Sequence, residues 1–450
     1  MMRLSEAASM LGSILTGADA EVRRVSTDSR SIQSGDLFIA LRGEKFDGGA
    51  FATQALQQGA VGVVLDAVQA PGVEPAIRIE DTRLALGKLA AAWRGRFSMP
   101  VIAITGSNGK TTVKEMLAAI LRVEAGSSDA VLATEGNFNN DIGLPLMLLR
   151  LRDTHRYAVL EMGTNHFGEI DYLTRMARPD VALINNAQVA HVGMLGSLEG
   201  IAHAKGEIFN GLGDRGIAVI NADDPHADLW RGMNSERTVL GFGLGDNADV
   251  RGEYQASGYG AALKIATSNG VLDCQIRVPG EHNVRNALAA AAAALAVGAR
   301  SESIVAGLSG FTGIKGRLQR KPALHGSTFI DDTYNANPDS VRAALTVLAT
   351  QPGKKILVLG DMAELGEAAP ALHAQIGLAA RSAGVAKLFA LGEQSKETVG
   401  AFGAGAMHFE RIQELLADLE NELTPDTTVL VKGSRFMQME RVVQSFMEGN

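Results

Sequence analysis

One cysteine, Cys274, stands in 450 residues, so no disulfide can form within the chain, and a reducing compartment suits it. Aromatic residues are scarce at 5 %, against 46 % hydrophobic residues in all, so the cores must be built mostly from Ala, Leu, Val and Ile. There is no basic excess: 42 Lys and Arg face 50 Asp and Glu, a net charge of −8. That balance gives no electrostatic footprint for nucleic acid, and any anionic ligand must be held by local lysines, arginines and helix ends. No apolar stretch approaches the length of a membrane span. The opening MMRLSEAASMLGSIL includes Glu6 and lacks the long apolar core of a signal sequence, so a cytoplasmic protein is expected. Internal repeats are absent, low complexity is confined to one alanine run, and no heptad pattern argues for assembly, so a monomer is expected.

What the chain does have is length for two to four domains and, at Thr105–Thr112, the stretch TGSNGKTT. Four apolar residues, Val101–Ile104, precede it as a short buried strand, and Val113–Arg122 follows with helical spacing. The glycines therefore fall on a strand-to-helix turn, where free backbone N–H groups and a helix N-terminus favour a phosphate. Gly106, Ser107, Asn108 and Gly109 would form the cradle, Lys110 would supply charge to the β and γ phosphates, and the Thr111 hydroxyl could ligate Mg2+, with Thr112 completing the motif. Ile104 stands where the first glycine of the full eight-residue phosphate loop would fall. A bare GKT would be as readily a turn as a site. Strand, glycines, Lys-Thr-Thr and helix in this order favour nucleotide binding.

Residues 1–81 read as a small α/β unit, with strands at Val22–Ser26, Asp36–Ala40 and Val61–Leu65 and a helix at Ala50–Gln58. Its polar stretches, Ser26–Arg30 and Arg42–Gly49, are turns on their own chemistry. A helix over Thr82–Phe97 leads into a second unit whose strands recur at Ala158–Glu161, Val181–Asn185 and Ile217–Asn221, the alternation of right-handed βαβ units. Between Arg237 and Val278 short alternating runs predict antiparallel strands at one edge, and Val284–Val297 predicts an alanine-rich helix. A last unit from about Gly316 shows strands at Thr328–Asp331, Lys355–Gly360, Lys387–Leu391 and Thr428–Lys432, with helices at Ser340–Ala349 and Phe436–Phe446. The expected fold is thus α/β with three domains: 1–81, a central P-loop parallel-sheet ATPase domain over 82–315, and a Rossmann-like domain over 316–450.

Several residues could carry chemistry. Glu161 ends a central strand, where α/β sheets place ligands, and could hold Mg2+ opposite Thr111. His191 and, fourteen residues later, Lys205 would by themselves be a loop histidine and a surface lysine. His282, Asn283 and Asn286 open the alanine-rich helix, and Asn283 could equally be its N-cap. Arg317 lies at the junction with the last unit, with a planar fork suited to a γ-phosphate. Asp331 and Asp332 end a strand, one suited to a ribose hydroxyl and the other to turn chemistry, while Asn337 and Pro338 look like an N-cap and first helical residue.

Taken in order, TGSNGKTT, Glu161, the spacing from His191 to Lys205, HNVRN, GIKGR and the Asp331-Asp332 strand end resemble the Mur ligase family of ATP-dependent amide-forming enzymes. GNFNNDIGLPLMLL, LEMGTNHFGEI, DDTYNANPDS, GDMAELG and VLVKGSRFMQME are similar to the branch that joins D-alanyl-D-alanine to UDP-N-acetylmuramoyl-tripeptide in peptidoglycan synthesis. The acidic-Asn-Pro-Arg motif of the diaminopimelate-adding branch is lacking. The resemblance spans the chain, most weakly over 1–81. It implies that Ser29, Arg30 and the Lys45–Gly49 loop, Asp47 included, bind the UDP end of the substrate. It implies Lys110, Thr111 and Glu161 for ATP and Mg2+, His191 for a second Mg2+, and Lys205 as a carbamylated lysine turned towards the metal. Asn286 would contact adenine, Arg317 the γ-phosphate and Asp332 the ribose. Asn137, Asn335, Asn337 and Arg435 are candidates for holding the peptide substrates.

The implied reaction has the tripeptide carboxylate attack the γ-phosphate of ATP, giving an acyl phosphate that the dipeptide amine then displaces, with the last domain closing to exclude water. Two other readings stay open here: another ligase on the same scaffold, such as a folylpolyglutamate synthase, and a nucleotide-binding switch that has lost ligation.

Overall fold

The computed structural model describes residues 1–43, 46–188 and 195–447. Its strands fall into three large sheets, each built almost wholly from one stretch of chain. The first has five strands, in the order Leu15–Thr16, Ala76–Ile79, Gly62–Asp66, Asp36–Ile39, Arg24–Ser26; all its pairings are parallel except that of Leu15–Thr16. The expected strand Val22–Ser26 is two pieces, Glu21–Val22 and Arg24–Ser26, because the Arg23 N–H turns away to the Gly35 carbonyl.

Nine strands make the second sheet. At its centre Val101–Thr105 lies between Tyr157–Glu161 and Val181–Ile184, all parallel and all fully apolar until their carboxyl ends. Strands buried on both faces read as continuous apolar runs, which is what these segments are. The region after Arg237 is only partly antiparallel: Thr238–Gly243 pairs parallel with Ile217–Asn221, and the antiparallel meander is Val250–Ser257, Gly260–Thr267 and Gly270–Ile276.

Over this sheet lie the helices Lys110–Ala125, Glu281–Ala296 and Ser301–Gly310. Ala287 and Ala289–Ala294 are fully buried, and small side chains let the helix approach both the strands and its neighbour closely. Gly307 carries this further. A Cβ there would fall 2.4 Å from the Ile120 Cα, so the helix crossing admits only glycine.

A six-stranded sheet forms the last unit, in the order Gln319–Pro322, Thr328–Asp332, Thr427–Lys432, Lys354–Gly360, Lys387–Leu391, Ala406–Phe409. Asn337 caps the helix Pro338–Ala349 through a reciprocal pair of hydrogen bonds with Ser340, as its sequence position predicts. The helix expected over Phe436–Phe446 is instead a short turn at Arg435–Met437 and a helix at Glu440–Ser445, broken where Gln438 takes φ +50°. Residues 311–318 join the second sheet's unit to the third and include a tight turn in which the Arg317 N–H bonds the Ile314 carbonyl.

Candidate active site

The carboxyl ends of the central strands and of the last sheet face one cavity of about 1040 Å3. Its floor is the turn after Val101–Thr105. Gly106 and Gly109 have φ of +154° and +80°, and the helix begins at Lys110. A Cβ on Gly109 would also meet Asn286 Oδ1 at 2.4 Å and Asn185 Nδ2 at 2.5 Å, so both backbone conformation and space demand glycine. The loop is held from behind by amides: Asn185 Nδ2 donates to the Asn108 carbonyl and to Asn286 Oδ1, both at 2.9 Å, and Asn186 Oδ1 accepts the Asn108 N–H at 2.9 Å. Asn286 Nδ2 donates in turn to Asn283 Oδ1, and Asn283 to the Pro279 carbonyl at 2.7 Å.

On the cavity side, the Thr111 hydroxyl donates to Glu161 Oε2 at 2.8 Å, while Asn139 Nδ2 holds Oε1 at the same distance. Glu161 is buried, and its backbone N–H is fixed by the Thr134 hydroxyl at 2.9 Å. Lys110 Nζ folds back onto the Gly106 carbonyl at 2.7 Å. From the last unit, Arg317 reaches the Thr111 hydroxyl at 3.0 Å, its guanidinium stacked 4.3 Å from the Tyr334 ring centroid and its Nε buried without a partner. Asn337 Nδ2 donates to Asn108 Oδ1 at 2.8 Å, a second bridge across the cleft. Asp332 pairs with buried Lys432 at 2.6 Å, while Asp331 serves its own turn, accepting from Thr333 and pairing with Lys321.

Burial disfavours the charged forms of the cations. It lowers the Lys110 ammonium's pKa, against the raising field of Glu161 and with the lowering field of Arg317. Lys205 is pushed well below the ordinary lysine value by burial and then by Lys110, and it has no ion pair among the described residues. Asp332 moves the other way, raised by burial against the pull of Lys432.

His282, on the cavity wall, is pushed from 6.5 down to about 4 by burial and the nearby Lys432. Its folded form is therefore neutral where the unfolded chain takes up a proton. Stability from this group is complete above pH 6.5 and falls as the pH drops from 6.5 to 4. Urea unfolding at pH 7.5 and 4.5 is expected to show a His282→Gln variant losing about 1–3 kcal/mol less than the parent over that interval. An equal acid loss in both proteins would contradict it.

Comparison with known proteins follows from this geometry. Three family descriptions match: "Mur ligase family, catalytic domain" over residues 21–94, "Mur ligase middle domain" over 104–294, and "Mur ligase, glutamate ligase domain" over 316–435. A protein of Escherichia coli strain K12 named UDP-N-acetylmuramoyl-tripeptide--D-alanyl-D-alanine ligase is 42 % identical, over 99 % of this chain and 98 % of its own length. The chain belongs to the Mur ligase family. Two solved Mur ligases extend the likeness to three dimensions. A UDP-N-acetylmuramoylalanyl-D-glutamyl-2,6-diaminopimelate--D-alanyl-D-alanyl ligase of Acinetobacter baumannii is 36 % identical with a TM-score of 0.87, covering 98 % of this chain and 97 % of that one. MurF ligase of Thermotoga maritima in complex with ADP is 27 % identical with a TM-score of 0.83, covering 94 % and 96 %.

In this Mur ligase the cavity brings together, of the residues singled out from sequence, Ser107, Asn108, Gly109, Lys110, Thr111, Thr112, Asn137, Glu161, Asn286, Arg317, Asp332, Asn335 and Asn337. Gly106 lies directly behind, its carbonyl holding Lys110. Lys205 is buried off the cavity wall, on the helix Leu198–Gly206. Ser29, Arg30 and Asp47 lie on the first sheet's unit, outside the cavity: Arg30 is exposed and paired with Asp28, and Asp47 accepts from Gln69 and Gly49. Arg435 is also outside it, exposed and paired with Glu440. Lys45 and His191 fall outside the described residues. Asn283 is no N-cap, since the helix begins at Glu281 after Gly280 and its side chain works in the amide relay. Sequence reading passed over Asn139, Asn185, Tyr334 and Lys432 as site residues. Their only local signal was position, since each stands at or just beyond a strand end or in a polar loop.

Proposed function

We propose that the chain joins D-alanyl-D-alanine to UDP-N-acetylmuramoyl-tripeptide at the expense of ATP, giving the UDP-linked pentapeptide, ADP and phosphate, a step of peptidoglycan precursor synthesis. The observation that carries it is the meeting of Thr111 and Glu161 from one unit with Arg317 from another in a single large cavity. The full-length 42 % identity to a ligase of that name sets aside the folylpolyglutamate and switch readings.

In this reading the phosphate loop's N–H groups and the helix N-terminus bind the polyphosphate, Lys110 leaves the Gly106 carbonyl for the β and γ phosphates, and Arg317 takes the γ-phosphate. Asp332, held by Lys432, takes the ribose, and the end of the cavity by Asn286 takes adenine. An oxygen of the tripeptide carboxylate forms a bond to the γ-phosphorus as the bond to the ADP oxygen breaks. The neutral amine of the dipeptide then adds to the acyl carbonyl, phosphate departs with the C–O electron pair, and the amine proton passes to solvent. The residues present fit Mg2+: Thr111 and Glu161 offer a hydroxyl and a carboxylate oxygen side by side, the hard donors this ion takes together with phosphate oxygens and water. When bound, the ion supplies positive charge against the charge developing on the transferred phosphoryl group. Lys205 is read as a carbamate and His191 as a further ligand.

The units 1–81, 82–315 and 316–450 act as domains for the UDP moiety, ATP and the dipeptide, a division supported by the three separate sheets. Ser29, Arg30, Lys45 and Asp47 belong to the first of these sites; Asn137, Asn335, Asn337 and Arg435 belong to the peptide sites. No helix among the described residues is long and apolar enough to cross a membrane, and we read the protein as a cytoplasmic monomer. Phosphate release by the purified protein with Mg-ATP tests the reading: release is expected only when both the UDP-tripeptide and D-alanyl-D-alanine are present. Release driven by a single amino acid, or by ATP alone, would refute it.

A further inference from the structure

The residues assigned above to ATP leave part of the cavity wall without a role. There Arg83, in the first turn of the helix Thr82–Arg94, forms an ion pair with Asp141, and both line the wall. The two come from separate elements, 58 residues apart in sequence. Each is anchored: Asp81 caps the Arg83 helix through the Arg83 and Leu84 N–H groups, and Asn140 Oδ1 accepts from Ile142 and Gly143, fixing the turn that carries Asp141. Their side chains remain 54 % and 32 % exposed, so a ligand can reach them.

Position relates this pair to the reaction. Asn139 bonds Glu161 directly, and Asp141 is two residues further, at most about 7.6 Å along the chain. Arg83 also stands four residues after Ala76–Ile79, the last strand in chain order of the unit that the reading above assigns to the UDP moiety. A substrate residue whose carboxylate lies beside Glu161 and Lys110 can therefore extend its side chain, about 5 Å for four carbons, to this pair.

The charges say what such a side chain ends in. A bare ammonium would engage Asp141 alone and strip Arg83 of its partner. A head with both ammonium and carboxylate on one carbon satisfies both, the carboxylate on the planar guanidinium and the ammonium on Asp141. We propose that Arg83 and Asp141 read the third residue of the tripeptide and select a side chain ending in an amino acid head, as in 2,6-diaminopimelate, over one ending in an amine, as in lysine. This rests on the ligase reading above.

The test compares kcat and KM of the full-length enzyme for UDP-N-acetylmuramoyl-tripeptides carrying either diaminopimelate or lysine, with saturating Mg-ATP and D-alanyl-D-alanine. The parent is expected to favour the diaminopimelate peptide 10- to 100-fold in kcat/KM. Arg83→Ala should erase that preference through KM, with a far smaller effect on the lysine peptide, and Asp141→Asn should raise KM for both. Equal use of both peptides by the parent overturns the proposal. So does an equal loss on both in Arg83→Ala, which would mark the pair as a tie between helix and turn only. Turnover of neither peptide would overturn the ligase reading along with it.

Discussion

Lys205→Ala is expected to reduce ligation about 1,000-fold or more in kcat while leaving the dissociation constant for ATP within about threefold. The reasoning starts from burial. Lys205 is 3 % exposed, has no ion pair among the described residues, and is disfavoured as an ammonium by both desolvation and the neighbouring Lys110. On the carbamate reading proposed above, the lone pair of the deprotonated amine would bond the carbon of CO2, one C–O π pair would move to oxygen, a proton would leave, and a carbamate anion would result. That negative charge would replace the repulsion between Lys205 and Lys110 by attraction. Phosphate release and nucleotide titration check the first expectation, and labelled CO2 followed by 13C NMR checks the second, with a carbamate signal present in the parent and absent in the variant. Turnover close to that of the parent in Lys205→Ala would remove Lys205 from the mechanism.

Lys110→Ala should be equally severe but differently distributed, with kcat/KM for ATP down by about 1,000-fold and losses in both nucleotide affinity and turnover. In the free protein the ammonium is parked on the loop's own carbonyls, the Gly106 oxygen at 2.7 Å and that of Ser107 at 3.3 Å. Those acceptors are exchanged for phosphate oxygens on binding, so the charge enters the site already desolvated and near its target. Arginine is not expected to rescue. Its planar, delocalised fork places the charge differently from the compact ammonium of lysine. Isothermal titration with a non-hydrolysable nucleotide, alongside steady-state kinetics, separates the two losses. A variant with intact affinity and lost turnover alone would show that Lys110 acts only in the transition state.

How far sequence reached depends on how local the signal is. The phosphate loop is legible because its glycines, lysine and threonine are consecutive and sit between an apolar run and a helical one. Asp332 is legible as a strand end, and Asn337 as a cap before proline. What joins the site together is not local: Asn185 meets Asn286 across 101 residues, Asn139 meets Glu161 across 22, and Asn337 meets Asn108 across 229. Asparagine in a loop reads the same whether it caps, turns or braces a partner strand. The split strand at Arg23 and the broken helix at Gln438 have a related cause, since both depend on a backbone bond or dihedral that no periodicity records. The early start of the alanine-rich helix, which puts Asn283 inside it, reflects the same thing: Gly280 at φ +90° occupies the cap position four residues after the strand Gly270–Ile276, with no side-chain cap.

The connection at 311–318 does more than join two units, because Arg317 is part of it. Arg317 closes the bend at Ile314 where the last unit begins, and its guanidinium reaches back to the Thr111 hydroxyl of the middle unit at 3.0 Å. Through Arg317 the placing of the last sheet, felt at Tyr334, and the phosphate loop, felt at Thr111, share one charged side chain.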